Sequence, residues 1–227
     1  MSEGLNLGQK FKEWKKAEGF EGAGSLGGAL EGLWYLEKKR DIEAFEKKFP
    51  GIRAEFDRLI NMLPDPDSSN KTEFPFAASV ARVHDDKEIE IIARSLNRVN
   101  KTGKSTQHAE IAAMEDAMEI TGDKHLRSCI LLSTAQPCMM CTGAITNAEV
   151  STVVYSITQK EMEGKHVKFD GGFKPIRTTP TDFEPDKQLQ ESGIEVYGGY
   201  KRAEVMDAIS RSPSTFSAFY SDPDTKL

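Results

Sequence analysis

Two short runs in the middle of the chain contain the residue types that bind a zinc ion and move protons. The first is a His-x-Glu run with His108 and Glu110, and the second is a Pro-Cys-x-x-Cys run with Cys138 and Cys141. One histidine and two cysteines leave the fourth position of a tetrahedral zinc ion open, and a glutamate beside them can accept and donate protons. We therefore interpret the two runs as one active site.

The separations within the two runs determine how their side chains can share a site. Cys138 and Cys141 are three residues apart, so on a helix their sulfurs lie on nearly the same face and can contact one ion. His108 and Glu110 are two residues apart, which is about 200° around a helix, so in a helix interior they would face opposite sides. They can share a site only at a first turn, and the sequence therefore predicts a helix that opens at His108.

This set of residues is suited to hydrolysing the bond between a heterocycle and its exocyclic amino group. A zinc ion lowers the pKa of its bound water to about 7, so hydroxide is available at neutral pH. We expect Glu110 to take a proton from this water, to pass it to a ring nitrogen, and to assist the exocyclic amine as it leaves as ammonia. The predicted reaction is hydrolytic deamination.

The two runs resemble the motifs of the cytidine deaminase-like superfamily of zinc enzymes. Residues 108–111 and 137–145 are similar to the branch that contains guanine deaminases, tRNA adenosine deaminases and fungal-type cytosine deaminases. The resemblance extends from about Phe74 to about Tyr155. It implies an α/β fold, a three-layer α/β/α sandwich around a central mixed sheet of about five strands.

The resemblance also implies a cofactor, a substrate site and an assembly. One Zn²⁺ per subunit is expected on His108, Cys138 and Cys141. Asn97 stands at the same offset from the histidine as the base-binding asparagine of tRNA adenosine deaminases, so we expect it to bind the base. The backbone N–H of Ala109 is expected to hold a ring carbonyl, and the subunits are expected to form a homodimer. An asparagine that only forms a turn is the structural alternative at position 97.

Composition and charge restrict the class of protein. A length of 227 residues fits one well-buried domain with an extension. No apolar run is long enough for a bilayer and the N-terminus has no targeting pattern, so we expect a cytoplasmic protein without a membrane partner. The net charge of −6 disfavours a nucleic acid as the main partner, because phosphate binding needs a basic surface. A local basic rim remains open, since Arg98, Lys101 and Lys104 directly precede the His-x-Glu run.

Hydrophobic periodicity and turn residues predict the elements that position the two runs. Alternating helices and strands of this kind favour a three-layer α/β/α domain. Proline has no N–H to satisfy at a first helical position, so we expect Pro137 to open the helix that carries the cysteines. The predicted elements are a helix over 52–62, a hairpin of 76–83 and 88–93, a helix over 108–120, strands over 128–134, 151–156 and 193–199, and a helix over 202–209.

Three segments lie outside the deaminase pattern. Residues 1–50 are predicted to be an N-terminal helical extension, and residues 51–227 the zinc-dependent deaminase domain. Residues 158–186 are rich in glycine and proline, so we expect a stretch without regular structure that borders the pocket and influences the choice of substrate. The aromatic residues of 216–220 are expected to pack on the domain, with stacking on the substrate as the alternative.

Four functions follow from these patterns. The favoured one is deamination of a small nucleobase or nucleoside, with a guanine- or adenine-type purine preferred because of the resemblance around Asn97 and His108. The second is adenosine-to-inosine deamination in tRNA. The third is a cytosine-type deaminase, which the 138–145 segment fits equally well. The fourth is a catalytically silent subunit that uses the zinc fold as a scaffold, and the presence of Glu110 argues against it.

Overall fold

A mixed sheet of five strands, flanked by helices, is the framework of the protein. The computed structural model describes residues 42–63, 74–162, 166–169, 172–175 and 183–211. The strands are β1 (Ala77–Val83), β2 (Ile89–Leu96), β3 (Cys129–Ala135), β4 (Thr152–Ile157), β5 (His166–Phe169), β6 (Gly172–Pro175) and β7 (Glu195–Tyr197). The helices are α1 (42–48), α2 (Ile52–Met62), α3 (Val99–Thr102), α4 (Ala109–Thr121), α5 (Met139–Asn147), α6 (Gln159–Met162), α7 (Pro185–Glu191) and α8 (Arg202–Arg211).

The order of the main sheet is β2-β1-β3-β4-β7. Strand β1 pairs antiparallel with β2 and with β3, whereas β3 pairs parallel with β4 and β4 parallel with β7. Parallel neighbours need a crossover, and the helix that carries the cysteines, α5, connects β3 to β4. The mixed sheet of five strands that the sequence predicted is confirmed.

The two central strands are covered on both faces. Every residue of β3 and of β4 is buried. Successive side chains of a strand point to opposite faces of the sheet, so complete burial requires helices on both sides. On one face Leu131 and Val153 belong to a buried cluster with Met114 of α4 and Ile145 of α5. The helices with the two motifs are thus held against the sheet by packing of their own apolar side chains.

The predicted hairpin is present, but its second strand is longer than expected. Strand β2 runs to Leu96 rather than ending at Ala93, because Ala93 and Ser95 are buried and pair with Val80 and Ala78 of β1. Sheet pairing across the whole of β1 therefore overrides the weaker alternation at the end of β2. As a consequence, Asn97 directly follows the strand.

Several expectations concern residues outside the described ranges. Most of the predicted extension 1–50 and the aromatic tail 216–220 lie there, and the division into 1–50 and 51–227 stays a prediction. Residues 158–186 were expected to lack regular structure, which is wrong for the described part: it contains α6, the antiparallel pair β5–β6 and the start of α7. Among the described helices, none is long and apolar enough to cross a membrane.

Candidate active site

One nitrogen and two sulfur atoms from the two motifs form a nearly equilateral triangle. Nδ1 of His108 is 3.5 Å from Sγ of Cys138 and 3.6 Å from Sγ of Cys141, and the two sulfurs are 3.5 Å apart. Ligand atoms around tetrahedral zinc are separated by about 3.5–3.8 Å, as zinc–sulfur distances of about 2.3 Å and zinc–nitrogen distances of about 2.0–2.1 Å require. The three side chains therefore fit zinc in both chemistry and spacing.

The starts of two helices meet at this triangle. His108 is the N-cap of α4 and Cys138 is the N-cap of α5, and both have an extended backbone with ψ angles of 157° and 173°. The expectation that Pro137 opens α5 is wrong, because the helix begins at Met139 and the proline precedes its cap. The extended cap conformation brings the Cys138 sulfur to that of Cys141 in the first turn. The positive ends of both helix dipoles favour thiolate and other anions here.

Glu110 is the second residue of α4 and its side chain is buried, with 5% of its surface exposed. Desolvation raises the pKa of its carboxyl to about 7, although the nearby His108 acts in the opposite direction. A bound cation would favour the charged carboxylate and lower this pKa again. With an ion bound, the carboxyl is thus held ionised and can accept a proton.

The two thiols of the triangle differ in protonation. The hydrogen bond between the sulfurs lowers the pKa of Cys138 to about 4, with burial opposing and the hydrogen bond to His108 assisting this shift. The same sulfur–sulfur hydrogen bond, followed by burial, raises the pKa of Cys141. The hydrogen bond to Cys138 also raises the pKa of His108. One thiolate is thus already favoured, and a zinc ion displaces the remaining proton when it binds.

The three ligand candidates differ in their exposure. Cys141 is fully buried, whereas His108 and Cys138 are partly exposed. Met139, between the two cysteines, has 45% of its surface exposed and lies at the same helix start. The exposed part of the triangle therefore lies at His108 and Cys138.

Asn97 is buried beside the segment that leads to His108. Its Oδ1 accepts a hydrogen bond of 3.0 Å from the backbone N–H of Val99. The alternative role of Asn97, in forming a turn, therefore accounts for its amide oxygen. Within the described ranges its amide nitrogen has no hydrogen-bond partner. The backbone N–H of Arg98 donates to the carbonyl of Gln107, which joins the two segments next to His108. A base-binding role for this amide group stays a prediction.

The backbone N–H of Ala109 belongs to the first turn of α4. An N–H group in this turn has no acceptor within its own helix. The Ala109 side chain is fully buried, so the helix start is fixed while its N–H groups face outward along the axis. The predicted contact of this N–H with a ring carbonyl stays a prediction.

Arg98, which the sequence assigned to a basic rim, is engaged in an ion pair. Its guanidinium donates two hydrogen bonds to Asp116 of α4, one of them 2.9 Å long. Gln107 donates to Glu115 of the same helix at 2.7 Å. These contacts fix the loop before His108 onto α4 and neutralise one of the cations expected to contact phosphate. The sequence gives no sign of these pairs, because loop and helix meet only in the fold.

Sequence reasoning also missed Gln136, which stands two residues before Cys138. Its side chain contacts Tyr155 of β4, Asp186 of α7 and the backbone of Gln159 at the start of α6. These partners are 19, 50 and 23 residues away, so no local pattern could indicate them.

Comparisons with known proteins give the same assignment as the geometry. A family model for the cytidine and deoxycytidylate deaminase zinc-binding region matches residues 62–157. The chain is also 33% identical, over 123 residues, to the guanine deaminase of Bacillus subtilis, and the match covers 54% of the chain and 70% of that enzyme. The chain belongs to this deaminase family. As a family of zinc-dependent hydrolases acting on carbon–nitrogen bonds, it explains why the triangle fits zinc.

Other members of the deaminase family resemble the chain to a similar degree. A tRNA-specific adenosine deaminase from Aquifex aeolicus is 33% identical over 94 residues, which are 41% of the chain and 59% of that relative. The solved structure of NE0047 in complex with 2,6-diaminopurine is 25% identical with a TM-score of 0.53, over 65% of the chain and 75% of that protein. The chain spans little more than half the length of the tRNA-specific adenosine deaminases it matches.

Proposed function

We propose that the protein is a zinc-dependent hydrolytic deaminase of a small nucleobase or nucleoside, with a purine as the preferred substrate. The observation that carries the proposal is the convergence of His108, Cys138 and Cys141 within 3.6 Å of one another, next to the buried carboxyl of Glu110. A purely structural zinc site needs no buried acid beside it, and it more often has a fourth protein ligand.

In this proposal, metal binding and proton transfer are carried out by different residues. His108, Cys138 and Cys141 hold the ion, one per subunit, and zinc supplies a Lewis acid and an activated water at neutral pH when it is bound. The Glu110 carboxylate accepts a proton from the attacking water and delivers it to a ring nitrogen, while the water oxygen bonds to the ring carbon that carries the amine. It then takes the second proton from that oxygen and gives it to the amine, so that the C–N bond breaks, ammonia leaves and a ring carbonyl forms. The burial of Glu110 excludes bulk water from this proton transfer.

Two groups bind the heterocycle in this proposal. The free amide NH₂ of Asn97 donates to an acceptor on the base, and the backbone N–H of Ala109 donates to a ring carbonyl. Two donors suit a ring with a carbonyl oxygen and an unprotonated nitrogen, which guanine and cytosine both offer. The guanine deaminase relative and the purine-bound structure of NE0047 support guanine between the two.

The first test measures ammonia release by the zinc-loaded protein from guanine, adenine, cytosine, their nucleosides and a tRNA anticodon stem-loop. We expect release from one purine base or its nucleoside. The Glu110→Gln variant should keep its zinc but lose about a hundredfold to ten-thousandfold in turnover, the range that general acid–base catalysis supplies. Glu119→Gln is the matched control, because Glu119 lies on the same helix and is exposed.

The other outcomes identify the alternatives. Near-wild-type turnover by Glu110→Gln contradicts the mechanism, and zinc binding without release from any substrate in the panel would favour the silent scaffold. Release from cytosine alone would assign a cytosine-type deaminase.

Editing of tRNA is the second candidate, because a tRNA-specific adenosine deaminase is among the relatives. Release from the stem-loop alone, with a rate that falls steeply as salt increases, would assign this activity. The ion pair of Arg98 with Asp116 and the net charge of −6 argue for the small substrate. The homodimer, the cytoplasmic location and the separate extension 1–50 belong to the same proposal, and sedimentation of the purified protein tests the first of them.

A further inference from the structure

Gln136 uses every hydrogen-bonding group it has, and it does so two residues before a zinc-ligand candidate. Its backbone N–H donates to the carbonyl of Ile157 at 2.7 Å, and its carbonyl accepts from the side chain of Gln159 at 3.4 Å. Its side-chain Nε2 donates to Asp186 at 2.8 Å and to the Tyr155 hydroxyl at 3.2 Å, while Oε1 accepts from the Gln159 backbone at 2.9 Å. No other polar group of Gln136 is left for solvent.

The partners of Gln136 are themselves fixed. Tyr155 is almost completely buried, and its hydroxyl donates to the second carboxylate oxygen of Asp186 at 2.8 Å. Burial and the neighbouring Asp186 raise the pKa of Tyr155, so its hydroxyl stays protonated as a donor. The backbone at Gly198 lies so close that an added Cβ would overlap the Tyr155 hydroxyl. We define Gln136, Tyr155 and Asp186 as the anchor triad.

The anchor triad, together with Gln159, connects three elements to the short segment between β3 and α5. Tyr155 lies on β4, Asp186 lies in the first turn of α7, and Gln159 opens α6. The connecting segment is only Gln136, Pro137 and Cys138, and its last residue must present a sulfur to the triangle. Proline at 137 restricts the backbone between the anchored residue and the ligand.

We propose that the anchor triad is a positioning device that holds Cys138 in the geometry for binding zinc, in addition to any contribution to the fold. The inference rests on the proposed zinc site but does not depend on the identity of the substrate. Groups that orient a ligand without touching the metal typically change its affinity by about 10–100-fold when they are removed. Gln136 acts on Cys138 indirectly, through the backbone of Pro137 between them. We therefore expect an effect on zinc affinity at the lower end of that range.

A negative charge added within the triad tests the proposal. Gln136→Glu replaces the donor with a carboxylate directly opposite Asp186, while keeping the acceptor for the Gln159 N–H. The expected result is a loss of about tenfold in zinc affinity, measured by competition with a chromogenic chelator. The double variant Gln136→Glu/Asp186→Asn moves the amide donor to position 186, where it can donate to Glu at 136 and still accept from Tyr155. We expect it to regain zinc affinity to within about threefold of wild type.

Two further measurements separate positioning from plain stability. The visible spectrum of the cobalt-substituted protein reports the coordination of the metal, and we expect it to change in Gln136→Glu and to return in the double variant. The thermal midpoint of the metal-free proteins reports the fold alone. Gln190→Glu is the matched control, because Gln190 is exposed on α7 and the substitution is the same.

The results that would overturn the inference differ from the result that would reject the proposed function. Wild-type zinc affinity and an unchanged cobalt spectrum in Gln136→Glu would overturn the inference, even if the thermal midpoint falls. Lost affinity that the double variant does not restore would overturn it as well, because the hydrogen bonds between 136 and 186 would then be irrelevant. A wild-type protein that binds no zinc would instead reject the proposed function.

Discussion

The side chain of Asn97 has two hydrogen-bonding functions that a single substitution can separate. Its oxygen caps the N–H of Val99 in the turn after β2, and its NH₂ is free within the described part of the chain. The first contact is a matter of folding, whereas the second is available for a substrate. The turn therefore needs the amide oxygen of Asn97, whereas substrate binding needs its NH₂ group.

We predict that Asn97→Asp keeps the fold and loses substrate binding. Aspartate retains the acceptor for Val99, so the thermal midpoint should remain near that of wild type. The lost donor and the added negative charge should reduce kcat/KM by at least about tenfold. Steady-state kinetics on the purine substrate measure this effect, and Asn97→Ala should disturb both stability and kinetics. Wild-type kcat/KM in Asn97→Asp would assign the residue to the turn alone.

At the scale of elements, the site lies where helices α4 and α5 begin, and both helices pack against the same sheet. Three residues separate the end of β3 from the start of α5, and the carboxyl ends of parallel strands β3 and β4 form one edge of the sheet. Ligands of open α/β sheets bind outside this edge, where helix N-termini point at them. The close approach of β7 to β4 sets the position of Tyr155 at the same edge.

We predict that Gly198→Ala destabilises the protein. An added Cβ would overlap the Tyr155 hydroxyl, and this tyrosine has no room to move because it is buried on β4 and its hydroxyl is hydrogen-bonded to Asp186 of α7. Overpacking of this kind costs about 1–3 kcal/mol in the free energy of unfolding. Denaturant titration measures it.

Gly143→Ala is the control for this change, and we expect it to act in the opposite direction. Gly143 lies inside α5 with no atom near the added methyl, and alanine is favoured over glycine in a helix by about 0.5–1 kcal/mol. A matching loss of stability in both variants would show that overlap with Tyr155 is not the cause. A loss in Gly143→Ala alone would indicate that another chain packs on α5.

At the scale of the whole molecule, the core and the metal site are separate sources of stability. The apolar cluster on the site face includes Leu131, Val153 and Tyr155 and extends well beyond the triangle of ligands. A cluster of this size supports the fold by burial of apolar surface. Zinc binding then adds stability, because the ion binds the folded state in which His108 meets the two cysteines.

We predict that zinc removal lowers the thermal midpoint without unfolding the protein at room temperature. At zinc concentrations of about 100–1,000 times Kd the added stability is about 3–4 kcal/mol, which corresponds to a shift of about 5–15 °C for a chain of this size. Thermal denaturation with and without a chelator measures the shift. Cys141→Ser should largely remove the zinc-dependent part, whereas Cys129→Ser should not, because Cys129 lies outside the triangle. Complete unfolding on chelation would show that the core depends on the metal.

The sequence by itself determined the chemistry and most of the framework. Residue types and spacings of two and three positions indicated the candidate ligands and placed His108 and Glu110 at a helix start, where the structure has them. The positive φ of 69° at Gly122, which ends α4, was likewise predictable from glycine at that position. These features depend on the periodicity of a single element, which the spacing of residues close in sequence determines.

Only the tertiary structure decided which distant side chains support the ligands. The anchor triad, the Arg98–Asp116 pair and the extension of β2 to Leu96 join residues that different strands and helices bring together. Such contacts depend on strand order and register, which a single sequence does not specify. The position of Pro137 before the cap was also decided by the fold, because Cys138 needs an extended backbone to bring its sulfur to Cys141 and His108.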